Sequence, residues 1–244
     1  MISQLEKEVT LRFLKTRKND GFLNVISIFS FIGISLGVAV LIIVMSVMNG
    51  FRTELINKIV GFNPHAVIKF YSEEKDLQSL KSSKIEKKIK NIIYSNDGEG
   101  IIINKNNTKG IILRGYIDNE FKQLSIINND IFEGTKNLLN NSISIGKELS
   151  LNLNLNIGDE VSIMSPSGVQ TIIGSLPKQE TFVISSIFDS GISDFNENIA
   201  YINLISLENL FDLKKKNRKL EIYFLDPRNI ENHKKELQNL FEFD

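Results

Sequence analysis

Phe22 to Met48 reads FLNVISIFSFIGISLGVAVLIIVMSVM, and no charged residue stands between Gly21 and Phe51. As a helix this run would extend roughly 40 Å at about 1.5 Å per residue. A hydrocarbon core of about 30 Å needs about 20 residues. The run can therefore cross a membrane, with some tilt or with its ends in the interface. A cleaved signal peptide is the main rival reading, but its apolar core is normally about 7–15 residues and ends at a small-x-small site. This run is longer and closes on Met45-Ser46-Val47-Met48-Asn49-Gly50, a poor cleavage site. A buried core helix is the remaining alternative.

The flanks give an orientation. Arg12, Lys15, Arg17 and Lys18 precede the run, and only Arg52 and Lys58 follow closely. The positive-inside tendency puts the N-terminus in the cytoplasm. Everything after about Asn49 is then outside, in a periplasm-like or extracellular space. Within residues 1–20, Leu5, Val9, Phe13 and Leu14 recur at near-helical spacing among basic residues. That suits a short amphipathic helix on the cytoplasmic membrane face, with a plain basic anchor as the alternative.

Whole-chain averages hide this asymmetry. The 244 residues balance 29 basic against 29 acidic side chains, and the mean hydropathy is −0.05. Those values come from averaging a charge-free helix with a charged remainder. The chain has no cysteine, which excludes disulfides, thiolate metal sites and a cysteine nucleophile. Zero net charge argues against nucleic acid, whose binders need a basic face.

Two motifs fall inside the apolar run. Gly33-Ile34-Ser35-Leu36-Gly37 fits the G-x-S-x-G nucleophile elbow, which requires a strand, a sharp turn, a helix and a reachable histidine. An uncharged membrane helix offers none of these. The same residues fit G-x-x-x-G, and Ser30, Gly33 and Gly37 would form a small-residue stripe for close helix packing. The outer half of the run presents Val40, Ile43, Val44, Val47 and Met48 to lipid.

The remainder, 49–244, reads as an α+β domain. Asn49 to Val60 continues the helix outward as a stalk that includes Asn49, Gly50, Phe51, Glu54 and Leu55, and Gly61-Phe62-Asn63-Pro64 stops it. Strands are predicted at 65–71, 100–103, 110–116, 143–145, 160–164, 181–188, 200–203 and 220–225. Helices are predicted at 76–93 (Leu77, Leu80, Ile85, Ile89 and Ile92 near one face), 204–213 and 230–241. The stretch of about 99–190 is strand-rich, as if a β-rich subdomain were inserted into an α/β one.

Catalytic chemistry is scarce. His65 and His233 stand far apart, without cysteines or an H-E-x-x-H pattern, and read as structural or exposed. No phosphate-binding loop is present, so this chain is not expected to hydrolyse nucleotide itself. No catalytic residue, metal ligand or cofactor is expected. Lys214-Lys215-Lys216, with Arg218 and Lys219, reads as a solvated loop face or as a contact for anionic lipid or an acidic partner.

One connection is unusually long. Sixteen residues, 165–180, separate the predicted strands ending at Met164 and starting at Thr181. Hairpin loops usually take about 2–5. A segment bracketed by Pro166 and Pro177, with Ile172, Ile173 and Leu176 inside it, is either a projecting hairpin or an ordered lid. Exposed apolar residues on a projecting arm suit a protein partner.

These residues resemble a known family. Ile32-Gly33-Ile34-Ser35-Leu36-Gly37-Val38-Ala39, then Ser46-Val47-Met48-Asn49-Gly50-Phe51-Arg52-Thr53-Glu54-Leu55, then Gly61-Phe62-Asn63-Pro64-His65 are similar to the first membrane helix and stalk of lipoprotein-releasing ABC transporter permeases (the Lol system, C and E types), within the MacB/FtsX-like superfamily. Gly110-Ile111-Ile112-Leu113-Arg114-Gly115, Ile145-Gly146-Lys147-Glu148-Leu149, Ile157-Gly158-Asp159-Glu160-Val161 and Pro227 look like successive landmarks of that family's MacB-like periplasmic domain.

The resemblance implies a permease subunit served by a cytoplasmic ABC ATPase and a second permease subunit. It would sit in the cell inner membrane, lift acylated lipoprotein from it and pass it to a periplasmic carrier. C-type subunits recruit that carrier with a hairpin hook, and 165–180 falls where the hook belongs, with Pro166, Thr171, Ile172, Ile173, Gly174, Leu176 and Pro177. Ile172 stands where the family often has proline. Such permeases carry three further membrane helices after the periplasmic domain, and this sequence stops at Asp244. The expectation is a truncated or split frame, with the missing C-terminal half encoded separately. A cell-division-type regulatory membrane protein with a periplasmic protein-binding domain is the competing reading. An anchored enzyme is a third, for which no nucleophile–base or metal set is found.

Overall fold

The computed structural model describes residues 4–14, 21–69, 78–105, 107–128, 131–171 and 174–241. Two units divide the chain, one up to Ile56 and the other from Asn57 onward. In the first, α1 covers Gln4–Leu14, with Leu5 and Val9 exposed. The amphipathic segment was expected within residues 1–20, of which 1–3 and 15–20 lie outside those described. Helix α2 runs unbroken over Gly21–Phe62. Membrane run and stalk are thus one helix of about 63 Å. Asn63 and Pro64 follow it as expected, because a proline cannot continue the hydrogen-bond ladder.

The second unit is built on a nine-stranded sheet. In chain order the strands are β1 (Ala66–Lys69), β2 (Ile89–Asn104), β3 (Asn107–Tyr116), β4 (Glu133–Gly134), β5 (Ser142–Gly146), β6 (Glu160–Thr171), β7 (Gly174–Phe188), β8 (Ile199–Asn203) and β9 (Lys219–Phe224). The helices that accompany them include α3 (Asp118–Phe121), α4 (Lys147–Leu153), α5 (Ser193–Asn198), α6 (Leu204–Phe211) and α7 (Ile230–Phe241).

The strand order is β1-β9-β2-β3-β8-β5-β7-β4, and β6 pairs with both β7 and β2. The six strands β2, β3, β8, β5, β7 and β6 therefore close into a ring. Strand β2 makes this possible by its length. Its first half pairs with β9, from Ile89 to Ser95. Its second half pairs with β6, where Ile101 faces Met164 and Ile103 faces Ser162. Ring and extension thus share one strand, and the strand-rich stretch at 99–190 continues the sheet of β1 and β9. Strand β8 and helix α6, beyond residue 190, also belong to the ring.

Apolar alternation fills the ring. Ile102, Leu113, Ile143, Ile145, Val161, Ile163, Phe182 and Ile184 are buried together with Leu207, Leu210 and Phe211 of α6. An added Cβ at Gly98 would lie 2.8 Å from the Phe211 ring, so glycine there makes room for the helix. A second cluster joins Phe62, Ile93, Tyr116, Phe121, Phe188 and Tyr201, and a third packs β1, β9 and α7 with Leu80 and Ile85.

Among the described residues the helix expected at 76–93 is not a single helix, and Leu77 lies outside them. A helical turn ends by residue 81, a 3-10 turn covers Lys84–Lys88, and Ile89 and Ile92 belong to β2. Ser82 and Ser83 donate their hydroxyls to the carbonyls of Gln78 and Leu80 at 2.8 and 2.6 Å. They thereby cap the turn. Beyond it, β-branched Ile92 and Ile93 gain a partner strand in β9, and that tertiary pairing overrides the local helical spacing. Helices α3, α4 and α5 went unread, being too short for a periodic signal.

Helix α6 begins on a built cap. The Asn203 side chain accepts the Ile205 N–H at 3.0 Å and donates to the Leu138 carbonyl at 3.1 Å. Asn203→Ala should cost about 1–2 kcal/mol, because the cap and a buried carbonyl lose their partner together. Denaturant unfolding of the whole chain in detergent checks this. An unchanged midpoint would show that the cap is energetically idle.

Candidate functional site

Three regions hold the residues singled out from the sequence. The first is α2. Ser30, Gly33 and Gly37 are exposed, and a Cβ at either glycine would meet nothing within 4 Å. The stripe therefore presents open backbone for close approach by another helix. Val40, Ile43, Val44, Val47 and Met48 are exposed as well, at 49–66 %. Large side chains so exposed along a helix are expected against lipid or protein. Ser35 lies within the helix, so the strand and turn of a nucleophile elbow are absent there. In the stalk, Thr53 donates its hydroxyl to the Asn49 carbonyl at 2.9 Å, and Phe51 and Leu55 are exposed. Gly50 and Glu54 also lie on the exposed helix.

The second region is the end of α2, where it enters the domain. Phe62 packs on Phe195 of α5 with ring centroids 4.3 Å apart. Arg114 of β3 stacks its guanidinium 5.4 Å over that ring and donates to the Asn63 side chain at 3.2 Å. Ser125 donates to the Gly61 carbonyl. Beneath them lies Glu221 of β9, only 6 % exposed. Its carboxylate accepts from Ser95 at 2.6 Å, from Tyr116 at 3.0 Å and from Tyr223 at 3.0 Å. Burial pushes the Tyr116, Tyr201 and Tyr223 phenols above their ordinary value, and the Glu221 charge adds to it. They stay protonated, and Tyr116 and Tyr223 serve as donors. Three hydroxyls thus replace water around a buried anion, which is the condition for tolerating it.

Arg114 was quoted from the sequence only within a family landmark, with no role, and Glu221 was not picked out. The available signal was a lone charge within each of two apolar strands. His65 and His233 are both built into the domain, as the structural reading of them had it.

The third region is the hairpin. Most of what looked like a sixteen-residue loop is paired strand. Ser165 faces Lys178, Val169 faces Leu176, Gln170 faces Ser175 and Thr171 faces Gly174. The register shifts between Ser165 and Val169, so β6 carries extra residues there, and such a bulge twists the arm. The tip, Ile172 and Ile173, lies outside the described residues. Pro166, Leu176 and Pro177 are exposed, Leu176 at 62 %. Below the hairpin, Pro166 lines a groove of about 420 Å³ with Gly100, Gly110, Ile112 and Asn198.

The likeness to known proteins extends over this whole architecture. The model of the MacB-like periplasmic core domain matches residues 27–240. The chain belongs to that family. It is 26 % identical, over 92 % of its length, to the lipoprotein-releasing system transmembrane protein LolC of Neisseria meningitidis serogroup B, covering 55 % of that protein. The LolC of Xylella fastidiosa (strain Temecula1) is 25 % identical over 86 % of the chain and 52 % of its own length. A LolE of Haemophilus influenzae is 43 % identical over 60 residues, which is 25 % of this chain and 14 % of that protein. The chain spans about half the length of the curated LolC relatives it matches. Among solved structures, the periplasmic region of MacB from Actinobacillus actinomycetemcomitans aligns with a TM-score of 0.45 at 13 % identity, over 69 % of this chain and 72 % of that one. As a MacB-like core domain, the unit from Asn57 onward has the mixed α/β architecture expected from the sequence.

Proposed function

We propose that this chain is the anchored extracytoplasmic part of an ABC transporter permease that releases lipoproteins from the inner membrane. The observation that carries the reading is the continuity of the family match, from inside the apolar helix to the last turn of α7. The names of the relatives support the finer assignment. ATP hydrolysis belongs to a separate cytoplasmic subunit. A second permease subunit or a C-terminal half is its partner within the membrane. The N-terminus is cytoplasmic and the domain from about Asn49 is periplasmic.

Each residue group has a physical task in this scheme. Ser30, Gly33 and Gly37 pack α2 against a partner helix. Val40, Ile43, Val44, Val47 and Met48 line the path of the acyl chains, where each buried CH₂ contributes about 0.8 kcal/mol. Asn49, Gly50, Phe51, Glu54 and Leu55 carry helix motion toward the domain. The hairpin 165–180 is the hook, presenting Pro166, Thr171, Ile172, Ile173, Gly174, Leu176 and Pro177 to the lipoprotein carrier.

A tagged full-length chain, recovered from membranes in mild detergent, tests the reading. Co-recovery of a periplasmic lipoprotein carrier is expected. Co-recovery of a murein-hydrolase activator in its place would favour the cell-division reading. Deletion of 168–176 should abolish carrier binding and leave the unfolding midpoint nearly unchanged, since the described pairing of that arm runs between its own two strands. Carrier binding that survives the deletion would refute the hook assignment.

A further inference from the structure

The two histidines, 168 positions apart in sequence, converge on one phenylalanine. His65 stacks on Phe224 with centroids 6.3 Å apart and 13° between planes. His233 of α7 stacks on Phe224 at 4.3 Å and 27°. His65 also bridges two elements. Its Nε2 lies 3.1 Å from the Val60 carbonyl in the last turns of α2. Its Nδ1 accepts the Phe224 N–H of β9 at 2.8 Å. A carbonyl can only accept and a backbone N–H can only donate. The pair therefore fixes the neutral imidazole, with its proton on Nε2.

We propose that the His65–Phe224–His233 stack is an acid-operated latch that ties the last turns of α2 to strand β9 and opens when His65 is protonated. The step is a simple proton addition. Solvent H⁺ takes the Nδ1 lone pair that now accepts the Phe224 N–H. Two donors then face each other, and that hydrogen bond is lost. The Nε2–H keeps the Val60 carbonyl, so the side-chain tie between the end of α2 and β9 is broken, while the His65 N–H stays on the Ile222 carbonyl at 3.0 Å. This follows from the hydrogen-bond pattern and does not depend on what the protein transports.

The surroundings favour release. Among the described residues, Lys69 of β1, Lys90 of β2 and His233 and Lys234 of α7 are the cationic or titratable groups around the ring. Tyr223 of β9 meets its edge at 5.8 Å. The Glu221 carboxylate of the same strand is already engaged by three hydroxyls. Burial, followed by Lys90 and His233, holds the His65 pKa below 6.5, with the Val60 carbonyl acting in opposition. The unfolded chain therefore binds this proton more readily than the folded one. Stability from the latch is complete at neutral pH and declines as the pH falls below about 6.5.

Hydrogen exchange of the full chain in lipid nanodiscs tests the latch. After correction for intrinsic rates, the Phe224 amide should exchange about tenfold faster near pH 5 than near pH 7.5. His65→Asn keeps an acceptor near the Nδ1 position but cannot titrate, so it should abolish the acid effect. Should that variant not fold, ¹⁵N-histidine spectra of the wild type give a second readout. The His65 Nδ1 should change from acceptor to protonated over the same pH range in which the Phe224 amide opens. Equal exchange at both pH values, or an identical acid response in His65→Asn, would overturn the proposal.

Discussion

Gly146→Ala should cost about 3 kcal/mol or more, at or beyond the upper end of ordinary overpacking. An ideal Cβ at Gly146 would lie 2.5 Å from both the Cα and the carbonyl carbon of Asn196, and inside contact distance of its oxygen. Backbone cannot swing aside as a flexible side chain can. Asn196 is also pinned. Its Oδ1 accepts from the Ser190 N–H at 2.8 Å and the Ser190 hydroxyl at 2.6 Å, and its Nδ2 donates to Asp189 at 2.8 Å. The Asn196 N–H donates to the Ile192 carbonyl at 3.0 Å.

The damage reaches the helix junction, because α5 also carries Phe195, on which Phe62 and Arg114 rest. Gly110→Ala is the control. A Cβ there meets nothing within 4 Å, so its effect should stay within about 0.5 kcal/mol. Similar unfolding midpoints for the two variants would refute the packing argument.

Removing the buried anion should be comparably severe. Glu221→Ala leaves the Ser95, Tyr116 and Tyr223 hydroxyls without their acceptor and opens a polar cavity, for about 3–5 kcal/mol. Glu221→Gln keeps the volume and one acceptor oxygen and should cost roughly 1–2 kcal/mol. Denaturant titration orders the three proteins, and an alanine variant no worse than glutamine would show the hydroxyls to be satisfied otherwise.

The same cluster sets an alkaline limit. The phenols of Tyr116, Tyr201 and Tyr223 are raised above 10 by burial. The folded chain thus holds these protons more tightly than the unfolded one. Their contribution is complete below pH 10 and lost as the pH rises beyond it. Stability should therefore fall steeply above about pH 10, and Tyr201→Phe should blunt that fall.

Much of the fold was legible where a single local rule dominates. The absence of charge from Gly21 to Phe51 announced α2, and Pro64 set its end within two residues. Helix α7 coincides with the stretch 230–241 read from its apolar spacing. Strands β3, β5, β8 and β9 lie within about three residues of where alternation and turns placed them. The hairpin was legible as an anomaly of length. Whether it was arm or lid was not, because pairing between Val169 and Leu176 depends on strands meeting in space.

The sequence by itself determined the long apolar helix, its stop, the α+β character of the chain beyond it and the prolines that bracket the hairpin. Each rests on near neighbours: hydropathy over one run, a missing N–H, a period of two or of 3.6. Only the tertiary structure decided that the 89–104 segment is one strand shared by ring and extension, which turned a helical spacing at Ile85, Ile89 and Ile92 into sheet. It alone assembled Glu221 with Ser95 and Tyr116, and His65 with His233 around Phe224. Glu221 lies more than a hundred residues from Ser95 and Tyr116, as His65 does from Phe224 and His233, and their partnership arises from pairing of distant strands, which no local pattern encodes.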